Sequence, residues 1–296
     1  MKHFFDVSVT KYSSQKNYSV YRPSSLNNPK DNSVMFVTEG YIQYAEVLSR
    51  CSNCLVYWPY KIEIPNEIVN KHVFVLCENP HNSYCTFFIE NNITNLPPIE
   101  MVKNVNGAFI SPNARIGENC KIFPGCYIGG EVVIGNGTYI GTGTKLLGRV
   151  TIGNNVIIRE NTVIGADGLT TDRGSDGRAT TMPQFGGVVI EDDVIIGALT
   201  SICRGAIDDT IIQRGAKISN HVSISHNVNI GPDTFIVGET ILFGSASTGS
   251  KAWISGNVTI REGRHIGDKA KIGMGSVVTK DVEDNSIVKG NPAKPI

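Results

Sequence analysis

An aliphatic residue recurs at every sixth position along most of this 296-residue sequence. From Ile110 to Ile164 each sixth residue is isoleucine or leucine, and the spacing resumes at Ile190. An α-helix turns every 3.6 residues or so, and a six-residue period would scatter these side chains around its surface. A β-chain that turns a corner every six residues would stack them on one inner side. The spacing therefore predicts a parallel β-helix.

A second inward position lies four residues after each aliphatic one and holds small or β-branched residues, such as Val132, Thr144 and Val194. Glycine often follows the aliphatic residue directly, as at Gly135 and Gly231. Glycine there indicates tight corners that other residues would fill at a cost.

Two segments depart from the repeat. A polar excursion at residues 166–187 is too long for a corner, and residues 204–209 add a smaller insertion. Within the second series of repeats, only Thr248 replaces the expected aliphatic residue. Because loops that leave a rigid scaffold commonly carry binding function, we expect these departures to contribute to a site.

Residues 1–103 lack the repeat and mix strand-like runs, at 54–58 and 72–77, with helix-like runs at 41–48 and from Asn82. This mixture predicts a small α/β domain, with Thr94–Pro98 as its exit linker. The expected organisation is thus an N-terminal α/β domain at 1–103 and a β-helix at 104–296 with a loop excursion at 166–187.

The composition argues against several classes of protein, namely nucleic-acid-binding, membrane-spanning and secreted proteins. Lys plus Arg and Asp plus Glu number 27 each, which gives no overall field for nucleic acid or an anionic membrane. The apolar runs are too short to span a bilayer, and the first ten residues do not resemble a secretory signal. We therefore expect a cytoplasmic protein without a membrane span.

The seven cysteines are not expected to form a disulfide framework in a chain without an export signal. Cys51 and Cys54 have the spacing of a zinc or redox site, but Cys77 and Cys85 do not form a second pair at that spacing. On this basis no metal site is predicted.

Two histidines, His221 and His226, interrupt the repeat at positions that point away from the core. Projection by one coil of 18 residues places Gly244 beside His226 and Glu239 beside His221. A histidine that faces a glycine leaves room for a ligand and exposes a backbone N–H to an oxyanion. The remaining histidines, His3, His72, His81 and His265, are expected to be ordinary surface residues.

Four motifs, at 165–168, 182–186, 204–212 and 224–231, resemble in order and spacing those of UDP-3-O-acylglucosamine N-acyltransferase, the lipid A enzyme. The resemblance implies a left-handed β-helix, a homotrimer with active sites between neighbouring β-helices, and His226 facing the other subunit's long loop. It also implies that His226 is the general base and that Gly244 supplies an oxyanion N–H. The residue type suits this role, since histidine has an ordinary pKa of about 6.5.

The same resemblance extends to substrate recognition. Phe36 and Tyr44 look like residues of that family's nucleotide-binding domain, although aromatic residues in such a domain are often core. The candidate substrate-binding residues are Phe36, Tyr44, Asp167, Gln184, Asn220, His221 and Asn227. The sequence departs from the family at Ser219 and Cys203, where aspartates are usual, and at Gly263, where a second histidine is usual.

Residues 272–296 resemble the last coil of hexapeptide acetyltransferases that use acyl-CoA, and they lack the helical extension of the lipid A enzyme. Lys280, Lys289 and Lys294 are candidates to meet CoA phosphates, although each is ordinarily just a solvated lysine. No permanently bound cofactor is expected. We therefore expect transfer of a short acyl group from CoA to a nucleotide-linked amino sugar of a surface polysaccharide such as O-antigen. The alternative is the lipid A step with an acyl carrier protein.

Other classes also use this fold. The γ-type carbonic anhydrases bind zinc through three histidines, two of them five residues apart, as His221 and His226 are. A third histidine would be needed about two coils earlier, and residues 96–220 contain none. A purely structural solenoid remains a further alternative, because the usual support residues are altered.

Overall fold

The computed structural model describes residues 3–96 and 99–296 and divides into two compact units. One comprises Met1–Leu96 with Leu169–Phe185, and the other Pro97–Gly168 with Gly186–Ile296. The excursion that the sequence assigns to the β-helix domain thus groups largely with the N-terminal unit. Of the expected linker, Pro97 and Pro98 lie outside the described residues.

The N-terminal unit is built on a four-stranded parallel sheet, which confirms the predicted α/β character. Its strands are Arg22–Pro23, Ser33–Phe36, Leu55–Pro59 and Val73–Cys77, and a short antiparallel pair joins Val7–Ser8 to Ser19–Val20. Its helical segments are the α-helices Asn66–Val69 and Pro80–Glu90 and the 3₁₀ segments Val9–Lys11 and Glu39–Arg50. Within the described ranges, no helix combines the length and apolarity needed to cross a membrane.

Helix Pro80–Glu90 begins where the sequence provides an N-cap. The Asn79 side chain accepts a hydrogen bond from the Asn82 N–H, and Pro80 needs no N–H partner of its own. The hairpin of Thr171–Arg173 and Ala179–Thr181 packs against this helix. His81 Nδ1 lies 2.9 Å from Asp172 Oδ2, and this contact helps to explain why the excursion belongs to this unit.

The second unit is a parallel β-helix with three faces, numbered in the order in which the chain visits them. The strands of the first face are Lys103–Val105, Ala108–Ile110, Tyr127–Ile128, Lys145–Leu146, Val163–Ala166, Ser201–Cys203, Ser223–Ile224, Ile241–Leu242, Thr259–Ile260 and Val277–Val278. Those of the second face are Arg115–Ile116, Val132–Ile134, Val150–Ile152, Val188–Ile190, Thr210–Ile212, Asn229–Ile230, Ser247–Thr248 and His265–Ile266. Those of the third face are Lys121–Ile122, Tyr139–Ile140, Ile157–Ile158, Ile195–Ile196, Lys217–Ile218, Phe235–Ile236, Trp253–Ile254, Lys271–Ile272, Ile287–Lys289 and Lys294–Pro295.

Strand register follows the predicted coil of 18 residues. Ile122 pairs with Ile140, and across the two departures Val150 pairs with Val188 and Ile196 with Ile218. On the first face, the pairing of Val163–Ala166 with Ser201–Cys203 has a register shift between Ile164 and Ala166, where the excursion leaves. The fold is the predicted left-handed parallel β-helix.

The inward positions form one continuous hydrophobic core. Ile140 and Ile224 are fully buried, whereas Ile116 on an early coil is 37% exposed. Thr248, which breaks the aliphatic series, is also buried, and its Oγ1 accepts a hydrogen bond from the Gly231 N–H. A threonine is tolerated there because a neighbouring backbone donor satisfies its hydroxyl.

Inward threonines also join successive coils. Thr144 Oγ1 donates to Arg159 O at 2.8 Å, Thr162 Oγ1 to Gly197 O at 2.8 Å, and Thr234 Oγ1 to Gly249 O at 2.9 Å. The threonines of the second inward position therefore satisfy carbonyl groups at the corners.

Two different constraints select the residues at the corners: the space left by the next coil and a left-handed backbone conformation. At Gly231 a Cβ would lie 2.2 Å from Gly249 O, so the next coil leaves no space for a side chain. The left-handed backbone positions near the corners are often filled by asparagine, such as Asn161 at φ 55°. Asparagine tolerates this conformation better than most residues.

Candidate active site

One corner of the β-helix, between the first and second faces, collects most of the unusual features of this unit. The excursion leaves after Val163–Ala166 and returns before Val188–Ile190, and the smaller insertion follows Ser201–Cys203. His226 follows Ser223–Ile224, and Gly244 follows Ile241–Leu242 on the next coil. We call this the insertion corner.

The imidazole of His226 is enclosed by two glycines of the insertion corner. A Cβ on Gly244 would lie 2.5 Å from His226 Cε1 and 2.7 Å from Nε2. A Cβ on Gly168 would lie 3.0 Å from His226 Cβ and Cδ2. The ring therefore occupies the space that side chains at these two positions would take.

The neighbouring Asn227 determines which nitrogen of His226 carries a proton. Asn227 Oδ1 accepts the Ala206 N–H at 3.0 Å, and its Nδ2 donates to Asp208 O at 2.8 Å. These two bonds orient the amide, so that Oδ1 is an acceptor 3.1 Å from His226 Nδ1. Neutral His226 then carries its proton on Nδ1, and Nε2 keeps a free lone pair.

The smaller insertion is itself held in place. Arg149 Nη1 and Nη2 lie 3.0 and 2.5 Å from the two carboxylate oxygens of Asp209, a two-point contact. Asp209 Oδ1 also accepts the Gly187 N–H at 2.8 Å. The peptide groups of Ala206 and Asp208 that orient Asn227 thus rest on an anchored loop.

A buried arginine lies at the same corner. Arg204 is 7% exposed, donates from Nε to Gly186 O at 2.7 Å, and holds Nη1 3.8 Å from Asp167 Oδ1. Partial burial raises the pKa of the Asp167 carboxyl, and the Arg204 charge opposes that rise. Burial, followed by the Asp167 charge, raises the pKa of Cys203, so this thiol does not replace the charge of an aspartate.

The backbone N–H of Gly244 is a candidate hydrogen-bond donor at the insertion corner. The Gly244 carbonyl accepts the Gly263 N–H at 3.0 Å, whereas none of the hydrogen bonds found among the described residues uses the Gly244 N–H. A free backbone donor beside His226 is the group that an oxyanion requires.

Asn220 and His221 lie at a different corner, between the third and first faces. Asn220 Oδ1 accepts the Ala198 N–H at 2.8 Å, and the His221 N–H donates to Ala198 O at 3.0 Å. Equivalent asparagines and aspartates join other coils, for example Asn154 to Asn136. The structure thus gives Asn220 a role in coil stacking and does not bring His221 to the corner of His226.

Three further predicted residues belong to the N-terminal unit. Phe36 is half-buried, with ring centroids 4.9 Å from His81 and 4.8 Å from Tyr84. Tyr44 is exposed, and Gln184 is buried with its Nε2 donating to Met182 O. Among the described residues, Gln184 Oε1 has no hydrogen-bond partner.

The three predicted lysines are all exposed near the C-terminal end of the β-helix. Lys280 follows Val277–Val278 and therefore lies at the insertion corner, three coils or roughly 14 Å beyond His226. Lys289 pairs with Lys294 across the final antiparallel strands.

Two features of the site had little or no signal in the sequence. The Arg149–Asp209 contact joins residues 60 positions apart, and neither stands out in the repeat. Gly168 lies in a recognised motif, but its packing against His226 depends on how two coils stack.

The expectation that His72 is an exposed surface residue is wrong. His72, expected at the surface, is 2% exposed, because it precedes strand Val73–Cys77 and points among buried groups. His72 Nε2 lies 2.9 Å from Leu48 O.

Comparison with known proteins gives matches to bacterial acyltransferases. The family model described as bacterial transferase hexapeptide (six repeats) matches residues 113–148 and 131–166. The UDP-3-O-acylglucosamine N-acyltransferase of Methylobacterium nodulans is 43% identical over 145 residues, which are 49% of this chain and 41% of that protein. That of Francisella tularensis is 56% identical over 79 residues, or 27% of this chain and 23% of that protein. The chain thus spans less than half the length of these curated relatives.

Solved structures show the same fold. The UDP-N-acetylglucosamine acyltransferase of Francisella novicida is 26% identical with a TM-score of 0.60, covering 65% of this chain and 69% of that one. Its counterpart from Bacteroides fragilis is 27% identical with a TM-score of 0.59, covering 65% and 73%. Residues 113–166 therefore carry the repeat of the bacterial hexapeptide transferases, and the resemblance to UDP-3-O-acylglucosamine N-acyltransferase that the sequence motifs indicate is confirmed.

Proposed function

We propose that this chain is an N-acyltransferase that moves an acyl group from a thioester to the amine of a UDP-linked amino sugar. The observation that carries the proposal is the imidazole of His226, held between Gly168 and Gly244 with Nδ1 directed at Asn227 Oδ1. This arrangement leaves one basic nitrogen and one backbone donor at the same corner.

The names of the curated relatives favour one acceptor over the other. All those compared are UDP-3-O-acylglucosamine N-acyltransferases, so the lipid A step becomes the leading proposal. Transfer of a short acyl group from CoA for a surface polysaccharide, the first expectation from the sequence, becomes the second candidate.

The chemistry requires few groups. The sugar amine attacks the thioester carbonyl, a C–N bond forms, and His226 Nε2 accepts the amine proton. The Gly244 N–H stabilises the oxyanion of the tetrahedral intermediate. The C–S bond then breaks, and the departing thiolate takes up the proton from His226. The neutral amide of Asn227, rather than a carboxylate, supports the imidazolium in between.

The remaining assignments are part of the same proposal. Phe36, Tyr44 and Gln184 are proposed as nucleotide-sugar contacts of the N-terminal unit, and Asp167 as a substrate contact of the β-helix. Lys280 is proposed to meet the donor, whether acyl-CoA or acyl carrier protein. A homotrimer with the insertion corner at a cleft between copies would supply the walls that one β-helix lacks.

The test is a product assay with the purified protein. One arm offers a hydroxyacyl carrier protein with UDP-3-O-acylglucosamine, and the other offers acyl-CoAs with UDP- and dTDP-linked amino sugars. We expect an N-acylated sugar, identified by mass, in the first arm. Product only in the second arm would favour the surface-polysaccharide reaction, and no acylated product in either arm would contradict the proposal.

The matched variant is His226→Ala. Loss of the base should lower kcat by about 10²- to 10⁴-fold with little change in KM, because the base acts chiefly in the transition state. His265→Ala serves as the control, since His265 is exposed on the second face and its Nδ1 lies 2.8 Å from Ser247 Oγ, away from His226. Equal activity of both variants would remove His226 from the mechanism.

A further inference from the structure

Two cysteines and a histidine meet in the core of the N-terminal unit. The Sγ atoms of Cys51 and Cys54 and a ring nitrogen of His72 all lie within 4.8 Å of one another. All three residues are buried, at 4%, 0% and 2% exposure, and both cysteines are free thiols. We call these residues the thiol cluster.

Local structure explains why the three side chains converge. Cys51 ends the 3₁₀ segment Glu39–Arg50, and Asn53, at φ 56°, turns the chain so that Cys54 precedes strand Leu55–Pro59. His72 precedes strand Val73–Cys77, and Leu55 pairs with Val73 in the sheet. The cluster thus sits at the edge where two neighbouring parallel strands begin.

The distance between the sulfurs fits a metal ion better than a disulfide. The Sγ atoms are 3.7 Å apart. Two thiolates bound to one tetrahedral zinc ion at about 2.3 Å each are about 3.8 Å apart, whereas a disulfide brings its sulfurs to about 2.05 Å. The two sulfurs thus already have the spacing of one edge of a tetrahedral zinc site.

The hydrogen bonding of His72 selects the nitrogen that a metal would use. Nε2 lies 2.9 Å from Leu48 O and can only donate to a carbonyl, so Nδ1 is unprotonated. Nδ1 accepts the Cys54 N–H at an N···N distance of 3.2 Å, so its lone pair faces the side of the cysteines, and a metal bound there would take the place of this hydrogen bond. A histidine that gives its other N–H to a backbone carbonyl is the arrangement typical of metal ligands.

We propose that the thiol cluster binds a zinc ion through Cys51 Sγ, Cys54 Sγ and His72 Nδ1, three protein ligands that leave the fourth tetrahedral position open. Binding replaces the two thiol protons, which are released to solvent. In the metal-free cluster the Cys54 thiol donates to Lys30 O at 3.3 Å and lies 3.5 Å from Ser33 Oγ. The ion would tie the Glu39–Arg50 segment to the sheet. This proposal does not depend on acyl transfer.

The cysteine spacing alone does not predict this site, because its third ligand is a histidine. A search for a second cysteine pair after Cys54 leads to Cys77 and Cys85, whereas the residue that meets the thiols is His72, on the adjacent strand.

The test measures zinc in the full chain, purified under reducing conditions without chelator. We expect about one zinc ion per chain by elemental analysis, with a loss on the order of tenfold in Cys54→Ser and in His72→Gln. Cys85→Ser is the matched control, because Cys85 is a buried cysteine of the same unit outside the cluster. It should keep its zinc.

A second measurement avoids reliance on variants that could misfold. Wild-type protein stripped of zinc and given Co²⁺ should show thiolate-to-cobalt charge-transfer absorption, and a chelator should lower its Tm. A folded wild-type chain with neither zinc nor a cobalt–thiolate band would overturn the proposal. So would zinc retained in full by Cys54→Ser, or a Cys51–Cys54 disulfide recovered from the reduced preparation.

Discussion

Asn227 combines a backbone and a side-chain role at the residue scale. Its φ of 60° lies in the left-handed region, which an alanine would occupy only at a cost of roughly 1–2 kcal/mol. Its amide meanwhile links Ala206 and Asp208 to His226. Asn227→Ala would therefore disturb both roles at once, and glycine is the more selective probe.

We predict that Asn227→Gly keeps the fold and lowers kcat by about 10- to 100-fold, the range seen when partners that orient a functional histidine are removed. Without the amide, neither the tautomer nor the ring orientation of His226 is fixed. Steady-state kinetics measure the effect, and thermal unfolding reports stability. Asn257→Gly, at an exposed left-handed position, is the control. Full activity in Asn227→Gly would show that His226 needs no such support.

Residues differ in how far the sequence alone predicts them. The position of His226 beside Gly244 follows from an 18-residue projection, because neighbouring coils are related by a constant offset. The role of Asn227 could not be found this way, because its partners lie in an insertion that has no counterpart in other coils. Its assignment to substrate binding remains a prediction beside the structural role that the hydrogen bonds show.

At the scale of the element, the corner glycine Gly244 determines the space available to the imidazole of His226. We predict that Gly244→Ala lowers kcat by about 100-fold, because a Cβ 2.5 Å from His226 Cε1 displaces a ring whose position matters to within about 1 Å. Stability should change little, since φ at Gly244 is not positive.

The control for that substitution is Gly256→Ala. Gly256 occupies the equivalent place in its hexapeptide, but its new Cβ would lie 3.4 Å from the nearest atom, Gly238 O. We expect kcat to fall in Gly244→Ala and to stay close to the wild-type value in Gly256→Ala. A similar loss in both would indicate a general effect of filling corners.

The inward threonines give an element-scale prediction about stability. Thr234 Oγ1 donates to Gly249 O and accepts the Ala252 N–H. Thr234→Val leaves both backbone groups without this partner inside the core, and we expect a loss of about 1–3 kcal/mol in the free energy of unfolding. Urea unfolding measures it, with the outward Thr259→Val as control. No difference between them would mean that these bonds contribute nothing net.

The six-residue repeat predicts the faces of the β-helix but not the unit to which the excursion belongs. The six-residue period predicts the three faces because each inward side chain is determined locally. The grouping of residues 169–185 with the N-terminal unit depends instead on contacts such as His81 to Asp172, which join positions 91 apart. Such pairing leaves no periodic trace in the chain.

At the scale of the whole molecule, each coil of the β-helix contacts chiefly its two neighbours. A cavity in the middle of the stack should cost more than one near an open end. We predict that Ile212→Ala, at a fully buried position, lowers the free energy of unfolding by about 2–5 kcal/mol, and that Ile116→Ala, 37% exposed, lowers it by less than about 1 kcal/mol. Equal losses in chemical denaturation would contradict a stack of nearest-neighbour units.

The regular strand pairing on the second and third faces across both departures has a practical consequence for protein engineering. Val150 meets Val188 and Ile196 meets Ile218 as directly as strands do where nothing is inserted. The insertion corner therefore admits inserted segments of different length, because the second and third faces keep their pairing and the irregularity is confined to Ile164–Ala166 on the first face. Exchange of residues 169–185 among related chains is accordingly expected to leave the pairing of the second and third faces unchanged.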